Sequence, residues 1–126
     1  EQTKGHRVMG NLQRADFQNV YNVNVVGPML LGQALWENVK ASKRKQIVGI
    51  SSGAGSIGDC GSNWAVPYRC SKAALNMAFQ SFKYESAKTK AGVHTLLVNP
   101  GMVASRLGAA NATKTPTESV GQMLGV

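Results

Sequence analysis

The sequence has 126 residues, of which 43% are hydrophobic, and a formal net charge of +8. It is long enough for one small globular domain, and it has no apolar run near the roughly 20 residues that cross a bilayer. Because its first residues lack a basic-then-apolar pattern, we expect no secretory leader. Two cysteines, Cys60 and Cys70, are too few for a disulfide framework or a metal-ligand pattern, so we expect reduced thiols in a cytoplasmic protein without membrane contact.

The positive charge is densest between residues 40 and 45, where three lysines and one arginine fall near the end of a predicted helix. Cations at that end complement the helix dipole, so a solvated helix end explains the cluster. A basic chain also attracts phosphate, in nucleic acid or in a dinucleotide. Because no interleaved aromatic residues or nucleic-acid motif accompany the cluster, we expect no nucleic-acid partner.

The first half of the chain predicts one long helix and one strand. Asp16 is predicted to cap a helix that continues to about Ser42. Gln46–Ser51 is a short apolar run, which predicts a buried strand. A glycine-rich loop follows over residues 53–66.

The second half repeats the order of helix and strand. A helix is expected from about Pro67 to Thr89, and its apolar residues lie on more than one face, as in buried or interface helices. Val93–Val98 predicts a second buried strand. A long loop over 99–115 then leads to a last helix at about Thr117–Leu124.

This order predicts an α/β fold. Both strands are nearly all apolar, as parallel strands covered on both faces are, and a strand–helix–strand unit forms a crossover in a doubly wound sheet. Because two strands are fewer than the four to six typical of a sheet, we expect residues 1–126 to form a single, incomplete Rossmann-like domain.

The predicted topology brings polar residues to one edge of the sheet. In doubly wound sheets, ligands bind outside the carboxyl ends of the strands. Ser52 directly follows the first strand, Pro100 and Gly101 follow the second, and Tyr68 opens the helix between them. These residues are therefore expected at the ligand-binding edge.

Tyr68 and Lys72 are spaced for one shared site, because residues four apart on a helix lie on the same face. A free phenol ionises only near pH 10 and is a poor acid–base at neutral pH. A neighbouring ammonium favours the phenolate and makes the phenol a usable proton donor or acceptor. Tyr84 and Lys88 have the same spacing, but they face nearly the opposite way, and we interpret them as surface or interface residues.

The glycine-rich segment Gly53–Gly58 matches G-x-G-x-x-G after a strand. The dinucleotide motif also requires a helix that starts within it. Here the chain continues as Asp59-Cys-Gly-Ser-Asn63, which is typical of a loop, and no acidic residue lies about twenty positions on. We interpret the segment as an active-site loop behind Ser52 instead of a phosphate site.

Asn24 lies four residues before Pro28 in the first predicted helix. Proline lacks an N–H and crowds the carbonyl four residues back, so the Asn24 carbonyl loses its helical partner. Two interpretations stay open: a simple kink, or a carbonyl that holds a water in a proton path to Lys72.

Other candidates for chemistry have plainer interpretations. Trp64 precedes Tyr68 and either lines a pocket or covers the core. His94, in a strand, is expected to be a core or edge residue, and His6 belongs to a polar start.

Four short segments, in order along the chain, resemble the short-chain dehydrogenase/reductase family. They are Asn24-Val-Val-Gly27, Ile50-Ser-Ser-Gly-Ala-Gly55, Tyr68-Arg-Cys-Ser-Lys72 and Asn99-Pro-Gly-Met-Val103. The run Tyr68–Asn76, the turn Gly55-Ser-Ile57 and the late Glu118-Ser-Val120 are also similar to C-factor and sniffer-type carbonyl reductases.

The resemblance implies a catalytic tetrad. Tyr68 would be the general acid–base, and Lys72 would favour its ionised form and hold the nicotinamide ribose. Ser52 would orient the substrate carbonyl, and Asn24 would hold a relay water.

The resemblance also implies coenzyme contacts in the final loop. That loop starts at Pro100 and Gly101, and Val103 and Ser105 match positions that contact the nicotinamide carboxamide. Ser105 stands where the family usually has threonine, and it keeps the hydroxyl.

The family's N-terminal glycine loop, its coenzyme selector and its Asn-Asn-Ala-Gly segment are not found in this sequence; they would precede Glu1. NAD and NADP therefore both stay open as coenzyme. We expect the catalytic part of a longer enzyme, and an isolated chain that binds coenzyme poorly and is inactive.

The predicted function is the interconversion of a small carbonyl compound and an alcohol by an NAD(P)-dependent oxidoreductase. As in the family, the helix Tyr68–Thr89 is expected to pack against a second subunit. The alternative is a truncated, non-catalytic paralogue that acts as a protein-interaction module.

Overall fold

The computed structural model describes residues 10–105 and 112–125, which form five α-helices and two β-strands. The polar start up to residue 9, with His6, and positions 106–111 of the last loop lie outside the described residues. The helices are α1 (Arg14–Tyr21), α2 (Gly27–Ala34), α3 (Trp36–Ala41), α4 (Val66–Lys88) and α5 (Pro116–Leu124), and the strands are β1 (Gln46–Ile50) and β2 (His94–Val98).

Helix α1 begins before the predicted cap. Its N-cap is Gln13, and Asp16 lies in the first turn, where its backbone N–H donates to the Gln13 carbonyl at 3.2 Å. The prediction that Asp16 caps the helix is therefore wrong. An acidic residue is favoured both at a cap and in the first turn near the positive end of the dipole, so its presence did not fix the helix start.

The predicted single helix over 16–42 is divided into α1, α2 and α3. A π-helical turn, Asn22–Val26, separates α1 from α2, and the Gly27 N–H donates to the Asn22 carbonyl five residues back. Pro28, which has no N–H to donate, follows directly. A second break occurs at Leu35, with φ −95° and ψ 2°.

Strands β1 and β2 are parallel neighbours in one sheet, paired from Gln46–His94 to Ile50–Val98. Helix α4 connects them and packs on the sheet. The two predicted strands and the connecting helix are thus confirmed to within one residue at each end, and so is the α/β class. The shared carboxyl ends of the strands define one edge of the sheet.

The core lies between α4 and one face of this sheet. Its buried members on α4 are Leu75, Phe79 and Phe82. The Phe79 and Phe82 rings meet edge to face, with centroids 5.9 Å apart. Gly49 in β1 leaves room for Phe79, because a Cβ there would lie 2.4 Å from the ring. Met29, Trp36, Ile47 and Leu97 pack around this cluster.

The opposite face of the sheet is open. Val48, Ile50 and Leu96 are 50%, 51% and 45% exposed. The prediction that both faces are covered is therefore wrong for the described residues. The apolar residues of both strands favoured burial on both faces, but the core residues of α4 pack against the other face, with Ile47 and Leu97.

The last loop turns back on itself before α5. Val103 forms a parallel bridge with Lys114, and Ala104 donates to the Lys114 carbonyl at 2.8 Å. The buried Ser119 of α5 donates its hydroxyl to the Pro100 carbonyl at 2.7 Å, which fastens α5 to the end of β2. Among the described helices, none is long and apolar enough to span a bilayer.

Helix α5 starts with a capping box formed by Thr115 and Glu118. The Thr115 backbone N–H and hydroxyl both donate to the Glu118 carboxylate, at 2.7 and 2.8 Å. The bond from the Thr115 N–H is the main reason that the pKa of Glu118 lies below its usual value, and the Thr115 hydroxyl adds to it.

We expect Glu118→Gln to lower the melting temperature of the protein at pH 7. A carboxylate whose pKa is lower in the folded state stabilises that state above its unfolded pKa, and the gain is lost as pH falls through the folded value. Thermal denaturation at pH 7 and at acidic pH should show the difference shrink with acid. Glu85→Gln, at an exposed carboxylate of α4, is the control. A difference that does not change with pH would contradict the assignment.

Candidate active site

The carboxyl ends of β1 and β2 and the first turns of α4 meet at one edge of the sheet. Ser51 continues β1 and its N–H donates to the Val98 carbonyl at 2.8 Å. Ser52 then caps a short 3₁₀ turn, Gly53–Gly55, which packs against α4. The predicted site residues of β1 and α4 therefore lie at the edge where open parallel sheets bind ligands.

Lys72 lies beneath Tyr68 and is anchored to the strand. Its ammonium donates to the Ile50 carbonyl at 2.9 Å and lies 5.7 Å from the centre of the Tyr68 ring. The residue is buried, 9% exposed, and this burial lowers its pKa from the usual 10.5. The hydrogen bond to the Ile50 carbonyl therefore holds the Lys72 ammonium near the Tyr68 side chain.

Ser52 is half-buried at the end of β1. Its hydroxyl oxygen accepts from the Ala54 N–H at 3.1 Å. A serine hydroxyl that accepts one bond keeps its own proton as a donor. The side chain is thus held in place and remains able to donate to a substrate oxygen.

Ser51 and Asn76 join the strand, the turn and the helix, and sequence reasoning missed this role. The Ser51 hydroxyl donates to the Asn76 side-chain oxygen at 2.6 Å, and the Asn76 amide donates to the Gly55 carbonyl at 3.4 Å. The available signal was the spacing: Asn76 lies one turn beyond Lys72, on the same helix face.

The glycine-rich turn after β1 lets the chain approach α4 closely. A Cβ at Gly55 would lie 2.8 Å from the Lys72 backbone carbon. In the described structure no α-helix starts within Gly53–Gly58; a 3₁₀ turn at Gly53–Gly55 is followed by irregular chain up to α4. This geometry fits an active-site loop, as the sequence indicates, and does not provide a helix N-terminus for a phosphate.

Asn24 lies in the π-helical turn and contacts α4 through its side chain. Its amide donates to the Ser71 hydroxyl at 3.0 Å, and that hydroxyl donates to the Tyr68 carbonyl at 2.7 Å. Ser71 is fully buried, and sequence reasoning did not single out this bridge. π-turns are frequent at functional sites, and here the turn ties the first helical region to the turn of α4 that presents Tyr68.

Trp64 packs on Tyr68. The two rings are stacked, with centroids 6.4 Å apart and planes at 21°, and Trp64 remains 49% exposed. Of the two roles that the sequence left open, covering the core is not supported, because Trp64 is not part of the core cluster and contacts Tyr68 instead.

The predicted coenzyme residues of the last loop lie beyond β2. Pro100 is half-buried, and Gly101 has φ +75°, a left-handed conformation that favours glycine. The Gly101 N–H donates to the Asn99 side chain at 3.1 Å. Val103 is held by its bridge to Lys114, whereas Ser105 is exposed at the end of the first described range.

The remaining candidates are exposed residues. Tyr84 is 72% exposed and Lys88 is exposed, as the surface interpretation predicts. His94 is an exposed residue at the start of β2, and Cys60 and Cys70 are free and exposed. Among the described residues, no group of histidines, cysteines and carboxylates is placed to hold a metal ion.

Three comparisons place this geometry among known proteins. A family model described as short chain dehydrogenase matches residues 3–116. The C-signal protein of Myxococcus xanthus is 30% identical over 118 residues, which cover 94% of this chain and 70% of that protein.

Among solved structures, the NADPH-bound carbonyl reductase from chicken fatty liver superposes with a TM-score of 0.83 at 33% identity, over 94% of this chain. The carbonyl reductase Sniffer of D. melanogaster shares the fold, with a TM-score of 0.86 at 24% identity over 97% of this chain. The chain spans about half of both structures, 52% in each case.

Proposed function

Because the chain belongs to the short-chain dehydrogenase family, we propose that it forms the catalytic part of an NAD(P)-dependent reductase that interconverts a carbonyl compound and an alcohol. The observation that supports this most is the grouping of Tyr68, the buried Lys72 and Ser52 at the carboxyl edge of the sheet. The similar chicken protein is a carbonyl reductase with bound NADPH.

The residues present fit the nicotinamide end of the coenzyme. The Lys72 ammonium lies beside Tyr68 and has N–H donors that suit ribose hydroxyls. Pro100 and Gly101 follow the carboxyl end of β2, the strand that neighbours β1. Val103 and Ser105 would contact the carboxamide. The pyrophosphate finds no matching cradle at Gly53–Gly58, where Gly55 is pressed against the Lys72 backbone. We therefore expect the 126-residue chain alone to bind coenzyme poorly and to be inactive.

When bound, a nicotinamide coenzyme would provide the hydride chemistry of the proposed reaction. Ser52 donates a hydrogen bond to the substrate oxygen and orients it. Tyr68 gives its hydroxyl proton to that oxygen as the alcohol forms, or takes it back in the reverse direction. The Lys72 ammonium favours the phenolate that remains, because opposite charges attract strongly in a partly buried site.

The proton on Tyr68 must be replaced after each turnover. We propose that Asn24 serves this step through its main-chain carbonyl, with a water between it and Lys72. The π-turn and Pro28 support this, since they disturb the helical bonding of that segment. The Asn24 side chain is already engaged with Ser71 and would position the turn.

For partners, we propose a small carbonyl or alcohol substrate and a second subunit that packs on α4. Met77 and Tyr84, seven residues apart on this helix, are 68% and 72% exposed, and such a side-chain pair on one helix face suits an interface. The alternative of a non-catalytic interaction module finds no support in the comparisons, since the similar proteins include reductases. The cytoplasmic location stays a prediction.

Lys72→Met in the complete protein tests the proposal. Removing the ammonium leaves the phenolate without its counter-charge and the ribose without a donor. We expect carbonyl-dependent oxidation of NADPH or NADH to slow by at least about a hundredfold, the low end of an acid–base contribution, and the coenzyme KM to rise. Absorbance of the reduced nicotinamide follows the reaction. Lys88→Met, at an exposed lysine with the same spacing from a tyrosine, is the control. Equal rates in both variants would overturn the assignment.

A further inference from the structure

Two side chains near Tyr68 have none of the catalytic roles proposed above. Trp64 stacks on Tyr68, and the Arg69 guanidinium lies over the Trp64 ring, 5.9 Å from its centre. We name these two residues the Trp64–Arg69 rim. The rim is therefore in contact with Tyr68, the proposed acid–base residue. Its cation, the Arg69 guanidinium, contacts the Trp64 ring that stacks on Tyr68.

The backbone holds Trp64 in this position. Ala65, between Trp64 and the first residue of α4, is buried and has φ +46°, a left-handed conformation that is uncommon for alanine. This bend turns Trp64 back over the first turn of the helix. Strained residues of this kind concentrate at ligand and active sites. With 49% of its surface exposed, Trp64 still offers apolar area to a ligand.

Arg69 has spare hydrogen-bonding capacity. Its side chain donates to the Ser62 hydroxyl at 3.4 Å, a long contact, and no carboxylate of the described residues forms an ion pair with it. Asp59, the one acidic residue in the loop before α4, accepts instead from the Ser56 hydroxyl at 2.8 Å. A guanidinium has five N–H donors, so most of them remain for a ligand.

We propose that the Trp64–Arg69 rim selects planar carbonyl substrates that carry a carboxylate about one aromatic ring away from the reacting carbonyl. The carboxylate accepts paired N–H bonds from Arg69, the geometry that guanidinium groups favour. The planar body packs on Trp64 while the carbonyl oxygen meets Tyr68. This inference rests on the proposed carbonyl reduction and names its substrate class; the carboxylate itself takes no part in the chemistry.

The test compares two para-substituted benzaldehydes, one with a carboxylate at the far end and one with its uncharged methyl ester: 4-carboxybenzaldehyde and methyl 4-formylbenzoate. In the complete protein, with excess NADPH or NADH, we expect kcat/KM to favour the acid at least about tenfold, as a charge-assisted hydrogen bond provides. Arg69→Gln should bring the ratio close to one, mainly through KM, and Arg69→Lys should keep part of the preference. Added salt should weaken it.

Lys83→Gln is the matched control, since Lys83 is an exposed cation further along α4 and should leave the ratio unchanged. Equal kcat/KM for the two aldehydes, or an equal loss for both in Arg69→Gln, would overturn the role of the rim while leaving carbonyl reduction intact. Failure to reduce either aldehyde, or any other carbonyl compound, would instead overturn the proposed function itself.

Discussion

Tyr68→Phe is expected to reduce the rate of carbonyl reduction by about 10²–10⁴-fold, the range that a positioned acid–base contributes. Phenylalanine keeps the ring that stacks on Trp64 and lies over the Lys72 ammonium. The variant therefore removes the transferable proton and little else. Steady-state kinetics in the complete protein, with both reduced coenzymes, measure the loss, and it should appear mainly in kcat.

The chain contains its own control for this substitution. Tyr84 also has a lysine one helical turn later, but it is exposed and belongs to the far part of α4. Tyr84→Phe should retain the full rate, because the phenol there has no partner at the carboxyl edge of the sheet. A Tyr68→Phe enzyme that is as fast as Tyr84→Phe would remove Tyr68 from the mechanism.

Gly55→Ala is expected to destabilise the protein by about 1–3 kcal/mol, the usual cost of overpacking a tight contact. The added Cβ would lie 2.8 Å from the carbon and 3.0 Å from the next nitrogen of the α4 backbone, so a flexible side chain cannot simply move aside. Helix α4 has to shift away from the turn after β1. Lys72, which donates to the Ile50 carbonyl, then moves from its place, and we expect activity to fall as well.

Gly58→Ala provides the comparison for Gly55→Ala. A Cβ at Gly58 has no atom within 4 Å. Alanine at such an open position is neutral or slightly stabilising, because it restricts the unfolded chain. Urea unfolding of the complete protein should give a lower midpoint for Gly55→Ala than for Gly58→Ala. Equal midpoints would mean that Gly55 does not lie tightly against the α4 backbone in solution.

The sequence was a good guide to the elements that position the site. Short apolar runs predicted β1 and β2, and the long apolar pattern predicted α4, because burial against a sheet selects such residues. The parallel order followed from the alternation of strand and helix. Ser52 and Tyr68 could be placed at one edge of the sheet for the same reason.

The sequence was less informative where backbone geometry decides the outcome. The spacing of Asn24 and Pro28 predicted a lost helical hydrogen bond in this segment, but not that the helix would form a π-turn over Asn22–Val26. The contacts of Asn24 with Ser71, and of Ser51 with Asn76, join residues far apart in sequence. The spacing of Asn76 from Lys72 indicates a shared helix face, but only the folded chain reveals which group each of these polar side chains bonds. The chemical roles of the site residues stay predictions.

Deuterium transfer from coenzyme to product tests most directly whether the protein reduces a carbonyl compound with Tyr68 as its acid–base. The complete protein is incubated with a carbonyl compound and coenzyme that carries deuterium at the transferable position of the nicotinamide. The account predicts an alcohol with one deuterium on the former carbonyl carbon, formed by the wild type and by Tyr84→Phe but only in traces by Tyr68→Phe. An unlabelled alcohol, no alcohol, or equal labelled product from Tyr68→Phe would contradict it.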